Sequence, residues 1–225
     1  QDKMETQLPS QFYEEQTTFP PWRRLMSHQK TVLFHSPQKR QVLVWHRRAR
    51  KTTTAIYRLV SEAISEDNAG NVYWHIFPTY SEAKDAVWRD PKMLFSIIPP
   101  QYIAKKNESE LVVQFTTGAV LQLKGADKPE RLLGAGPKGV VMDEFAEMKP
   151  ETWTRIVEPI LTVNNGWCWF VGTPRGKNHL YDLYMKGQKE STVWKSSRVR
   201  ADESGILTKE QLENARRSMT EGLFA

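Results

Sequence analysis

Short apolar runs, each followed by a segment of helical periodicity, recur along most of this 225-residue chain. Val42–Trp45 reads as a buried strand, and from Thr52 to Ser65 the residues Ala55, Ile56, Leu59, Val60, Ala63 and Ile64 share one helical face. A turn at Asn68–Gly70 leads into residues 71–77 (NVYWHIF), a second strand ended by Pro78. Tyr80, Ala83 and Val87 then lie at helical spacing until Pro91. Leu111–Phe115 and Ala119–Lys124, joined by Thr116–Gly118, predict a hairpin laid against the main sheet. Residues 140–144 (VVMDE) and 167–171 (WCWFV) give further strands, and Thr192–Val199 a last one. Helical faces are marked by Trp153, Ile156, Val157 and Ile160, and by Leu180, Leu183 and Tyr184. Thr208 and Gln211 form a candidate capping box ahead of a stripe at Leu212, Ala215 and Met219. At the other end residues 1–19 are polar and weakly patterned, an arm. Pro21 opens a helix that carries Leu25, Gln29, Val32 and Leu33 before Pro37. Strands alternating with crossover helices predict a mainly parallel, three-layer α/β domain, whose ligands collect at the carboxyl ends of the strands.

Composition narrows this only a little. Lys and Arg number 32 against 26 Asp and Glu, a formal charge of +6 that suits a polyanionic partner without specifying one. The single cysteine, Cys168, excludes an intrachain disulfide and a cysteine-built metal site, and its apolar setting predicts a buried strand residue. No apolar run reaches the length of a membrane span, and the polar start does not look like a secretory signal.

The chemistry is concentrated in two places. Residues 41–54 (QVLVWHRRARKTTT) run from a strand through a cationic turn into a helix, the layout of a phosphate-binding loop. Lys51 can set a cation over the β- and γ-phosphates, and the Thr52 hydroxyl can reach Mg²⁺. The general pattern has glycine where this chain has Trp45 and Arg50. Arg50 enters left-handed backbone less cheaply than glycine, so the loop is expected to be wider than usual, with arginines supplementing its N–H groups. Arg47 is placed to bend over the γ-phosphate, whereas Arg48 and Arg50 face a neighbour or an acidic residue. The second place is Asp143-Glu144 at the end of an apolar strand. Asp143 offers an oxygen to a hard divalent ion, directly or through water, and Glu144 can orient or deprotonate the attacking water. Thr173, after the strand WCWFV, can sense the γ-phosphate or that water. Arg131 reads either as an arginine finger acting across a subunit boundary or as half of a local salt bridge. Gln29 lies either near a nucleotide base or in helix packing, and His75, with no matching ligand cluster, reads as a core or sheet-surface histidine rather than a metal ligand.

Taken in order, four stretches resemble the ATPase domain of the large terminase subunit, the DNA-packaging motor of tailed bacterial viruses. They are HRRARKTT (46–53), FPTYSEAKDAVW (77–88), KGADKPERLLGAGPKGVVMDEFAEM (124–148) and FVGTPRGKNHLYDLY (170–184). The resemblance runs from about Pro20 to Ala225. It implies a P-loop NTPase three-layer fold over residues 20–190 and a small linker subdomain over 191–225, truncated before a nuclease domain. The implied cofactors are ATP and Mg²⁺. His46, Arg47, Arg48, Ala49, Arg50, Lys51, Thr52 and Thr53 would form the nucleotide site with Gln29 near the adenine, and Thr52 and Asp143 would hold Mg²⁺. Glu144, Arg47, Arg131 and Thr173 would act in hydrolysis and its coupling to DNA movement. Implied partners are double-stranded DNA, a portal protein, a small terminase subunit and further copies in a ring, the isolated domain being monomeric. The implied location is the host cytoplasm, transiently the portal vertex of the procapsid, with no membrane. Two other functions compete: a helicase or remodelling ATPase, and a DNA- or portal-binding module whose loop no longer hydrolyses.

Overall fold

The computed structural model describes residues 25–133, 136–189 and 192–218. The expected arm at 1–19, the helix opening at Pro21 and the apolar position Met219 lie outside them. One eight-stranded sheet runs through the domain in the order β3-β4-β5-β2-β6-β7-β1-β8. The strands are β1 (Arg40–Trp45), β2 (Val72–Phe77), β3 (Ile103–Asn107), β4 (Val112–Phe115), β5 (Val120–Gly125), β6 (Gly139–Asp143), β7 (Trp167–Gly172) and β8 (Trp194–Val199). From β5 to β8 every pairing is parallel, while β3, β4 and β5 pair antiparallel.

The near-continuous apolar runs of β1, β2, β6 and β7 follow from burial on both faces. Leu43, Trp45, Tyr73, Val141, Trp169 and Val171 pack under α1 (Ser27–Phe34) and α2 (Lys51–Ile64), where Ile56, Leu59, Val60 and Ala63 supply the other side. Val42, Val44, Trp74, Ile76, Val140, Met142, Cys168 and Phe170 face the opposite layer, with Trp153, Val157, Leu161 and Leu180. The three layers are therefore those the pattern predicts.

Some local differences have physical causes. The hairpin does not lie on the sheet; it extends it, because β5 pairs in parallel with β2 over Val72–Phe77. The helical stretch near Trp153 winds as a π-turn over Thr152–Val157 before α-helix Glu158–Val163. Pro159 lacks the N–H that an α-turn would use, and its ring crowds the carbonyl four residues back. Trp194–Val199, expected inside the linker subdomain, pairs with all of β1 and forms an edge of the same sheet. The capping box at Thr208 is formed, its hydroxyl accepting from the Gln211 N–H at 3.2 Å and the Gln211 side chain accepting from the Thr208 N–H at 3.0 Å.

Candidate functional site

β1 delivers the chain to the turn His46–Arg50, and α2 begins at Lys51. Arg50 adopts the left-handed region at φ 59°, ψ 34°, so the conformation for which this loop class uses glycine is kept here by an arginine. Neighbours hold it in place. The Arg50 carbonyl accepts from the Thr54 N–H at 2.9 Å and from the Thr54 hydroxyl at 2.8 Å. Gln29 donates to that same hydroxyl at 2.8 Å, and its carbonyl oxygen accepts from the Met26 N–H at 3.0 Å. His28 Nε2 donates to the Ala49 carbonyl at 3.1 Å, with its ring edge-on to Trp45. Trp45 is fully buried and donates from Nε1 to Ser197 Oγ at 2.8 Å, tying β1 to β8. The second missing glycine is thus a core residue.

The remaining loop residues divide by exposure. Arg47, Arg48 and Arg50 are exposed, Ala49 is buried, and the Thr53 hydroxyl lies 3.9 Å from the Met93 sulfur. His46 is half-buried, and its pKa is lowered first by burial, then by His28 and Lys51. Thr52 stands in the first turn of α2 beside Lys51.

Across the rim, the buried Lys51 ammonium lies 3.5 Å from Glu144 Oε1. The cationic and acidic stretches, 93 residues apart, therefore meet. Glu144 is itself left-handed, at φ 50°, ψ 42°. Burial pushes its carboxyl pKa up; Lys51 pulls it back, and the charge of Asp143 adds to the rise. Asp143 is fully buried. Its Oδ1 accepts from the Glu144 N–H at 3.0 Å, and its Oδ2 lies 3.0 Å from His75 Nε2. Strained backbone thus occurs on both sides of one short contact, an arrangement common at working sites.

Thr173 follows β7, the strand between β1 and β6, so it emerges between the two halves of the site. Gly172 packs closely on Leu180, and a β-carbon there would come within 2.5 Å of Leu180 Cδ2. The segment after it is bound to the turn behind Glu144: Arg175 Nη1 lies 2.6 Å from Glu147 Oε1, and His179 Nε2 donates to the Phe145 carbonyl at 2.8 Å.

Arg131 is placed elsewhere. It is exposed on the 3₁₀ turn Pro129–Leu132 and lines a cavity of about 280 Å³ with Tyr80, Lys124 and Asp127. Its carbonyl accepts from the Lys124 ammonium at 2.7 Å, whose pKa is lowered by burial and then by the Arg131 charge. No salt bridge of Arg131 occurs among the described residues.

Sequence reading missed His75, Arg175 and His179 as parts of this region. His75 offered no signal, because its role depends on which strand lies beside it. Arg175 and His179 fall within a motif that was noticed, but their partners are not predictable from spacing.

No cluster of three or more His, Cys, Asp or Glu arranged for a metal occurs among the described residues. Mg²⁺ does not require one, since it takes one or two protein oxygens beside phosphates and retained water. A hydroxyl at Thr52 and a carboxylate at Asp143 fit that demand.

No model of a protein family matches the chain. It is 27% identical over 176 residues to the large terminase subunit of Thermus virus P23-45, a match covering 71% of this chain and 36% of that protein. Its fold is similar to the ATPase domain of the Thermus phage P74-26 large terminase, with TM-score 0.75, 21% identity and coverage of 89% and 91% of the two chains. The large terminase of a thermophilic bacteriophage, solved with ADP, gives TM-score 0.71 and 18% identity over 89% of this chain and 52% of that one. Both comparisons lead to the family that the four motifs resemble.

Proposed function

We propose that this chain is the ATPase domain of a large terminase subunit, hydrolysing Mg²⁺-bound ATP to move double-stranded DNA into a procapsid. The observation that carries the reading is the 3.5 Å contact between Lys51 and Glu144 at the carboxyl ends of β1 and β6. The Lys51 side chain is buried and that of Glu144 is partly exposed, so the pair stands at the rim, where a triphosphate can enter between cation and carboxylate. The similarity to a terminase solved with ADP supports the nucleotide. This chain spans about a third of the length of the curated terminase that it matches, so packaging itself is a proposal about the whole protein.

Lys51 binds the β- and γ-phosphates in this scheme, with the N–H groups of the turn and the positive end of α2. Arg47 reaches the γ-phosphate from the exposed side of the turn. Phosphate oxygens compete with Glu144 for Lys51, and its release leaves the carboxylate to orient water and accept its proton. Burial raises the pKa of Glu144, which makes it a stronger base than an ordinary carboxylate. Thr52 and Asp143 would hold Mg²⁺, which supplies charge neutralisation at the phosphates when bound. Thr173 senses loss of the γ-phosphate, and the Arg175–Glu147 and His179–Phe145 contacts carry the change into the helix His179–Lys189. Arg131 serves the site of a neighbouring copy, which its exposure and lack of a local ion pair support. Gln29 acts by holding Thr54 and hence the loop, a support for base recognition rather than a free contact. Portal protein, a small terminase subunit and a ring of copies at the portal vertex are the partners of the assembled motor. Basic side chains engage DNA phosphates without base specificity.

The two features that favoured a degenerate binding module are both accommodated: Arg50 keeps the left-handed turn, and Trp45 belongs to the core. The test is ATP turnover by the full-length protein with portal and double-stranded DNA. Lys51→Ala is expected to lose nucleotide binding, while Glu144→Gln keeps binding and loses turnover. Wild-type turnover in Glu144→Gln would refute the assignment. Robust strand separation would redirect it to a helicase.

A further inference from the structure

We propose that His75 is a positioning residue for hydrolysis, fixing the Asp143 carboxylate through a hydrogen bond from Nε2 so that it meets the Mg²⁺ site in one orientation. The inference rests on the reading of Asp143 as the Mg²⁺-associated carboxylate.

β2 and β6 run parallel with His75 opposite Val141, which brings the side chains of His75 and Asp143, two residues on, to the same sheet face. Both residues are fully buried, and Nε2 lies 3.0 Å from Oδ2. The second carboxylate oxygen accepts from the Glu144 N–H at 3.0 Å. Each oxygen of Asp143 therefore has one fixed protein donor, which sets the plane of the carboxylate and the direction of its remaining lone pairs. In the proposed role the Asp143 carboxylate only accepts, which places the hydrogen of the His75–Asp143 contact on Nε2.

The other ring nitrogen makes histidine costlier at this position than an apolar side chain. Nδ1 is buried and has no hydrogen-bond partner among the described residues. The Phe77 ring lies 4.6 Å from the imidazole, and Leu123 stands opposite His75 on β5. An unpartnered polar atom among such neighbours is a standing penalty that Phe or Leu would avoid. What the histidine supplies in return is a single directed donor to Asp143. Outer groups of this kind orient metal-associated ligands, and their removal typically costs about 10- to 100-fold in metal affinity or activity.

Two measurements decide the matter. ¹⁵N NMR of imidazole-labelled protein reports which ring nitrogen of His75 carries hydrogen. A protonated Nε2 supports the proposal, and a bare Nε2 overturns it, whatever the fate of the variants. The second measurement titrates Mg²⁺ against binding of a fluorescent ADP analogue by His75→Phe, His75→Gln and Asp143→Asn. His75→Phe is expected to raise the half-effective Mg²⁺ concentration about 10-fold or more. Its ADP binding in EDTA stays at the wild-type level, and the amide donor of His75→Gln recovers part of the shift. An unchanged Mg²⁺ dependence in folded His75→Phe, with a shift in Asp143→Asn, overturns the role of His75 alone. No shift in either variant overturns the role of Asp143 and His75 together.

Discussion

Replacing Arg50 by glycine isolates what it costs to build the turn before α2 from an L-residue. At φ 59°, ψ 34° the β-carbon of Arg50 crowds the following carbonyl, a penalty of roughly 1–2 kcal/mol. The side chain is exposed, so little packing is lost on truncation. Glycine removes the crowding but frees the unfolded chain, which offsets roughly 0.4–1 kcal/mol of the gain. Alanine keeps the β-carbon and therefore the strain. Both changes also remove a cation from the positive end of α2, a shared gain of up to about 1 kcal/mol. The decisive comparison is thus Arg50→Gly against Arg50→Ala. Taking the middle of each range, strain less entropy leaves glycine ahead by about 0.8 kcal/mol, or roughly 2–3 °C in Tm for a chain of this size. Urea and thermal unfolding of both variants measure it, with ADP affinity as a parallel readout. Affinity lost equally in both variants assigns a phosphate contact to the guanidinium. Affinity lost only in Arg50→Ala assigns the effect to backbone geometry. Equal stability of the two variants would refute the claim that this turn is strained.

Glu144→Gln should be more stable than wild type at pH 7. The raised carboxyl pKa means that the folded protein binds this proton more tightly than the unfolded chain, so stability falls as pH rises from about 4.5 through the raised value. The difference in melting temperature should close on acidification, and an equal gap at both ends of the pH range would contradict it. Trp45→Phe removes the Nε1–Ser197 bond and leaves a small void, a loss of about 1–3 kcal/mol by denaturant unfolding. Its ADP affinity should stay near wild type, since the ring faces the core. Gly139→Ala would place a β-carbon 2.3 Å from the Trp167 ring, and overpacking of this kind costs about 1–3 kcal/mol. Pairing it with Trp167→Leu should recover part of that loss, and strict additivity in the double-mutant cycle would show that the two side chains do not meet.

What the chain reveals before folding depends on how far apart the cooperating residues are. β1, α2 and the β6 acids are legible because each is written in a few consecutive residues, and parallel crossovers bring such strand ends to one rim. The edge strand Ile103–Asn107 is not legible. It carries Lys105 and Lys106 and is largely exposed, so it shows no alternation that burial would enforce. His75 fails for a different reason. Its partner lies 68 residues away, and only the register of β2 on β6 decides whether that nitrogen meets a carboxylate or a methyl group. Arg50 is the sharper case, because local preference argued against the backbone it adopts. The turn is held by Thr54, and Thr54 by Gln29, a residue 25 positions away on another helix. Among the described residues, non-glycine positions take positive φ at Arg50, Leu111, Glu144 and Asn165, and two of these four, Arg50 and Glu144, flank the Lys51–Glu144 contact. That is where tertiary contacts have to override local preference, because a relaxed loop and a relaxed strand end would not hold Lys51 and Glu144 face to face.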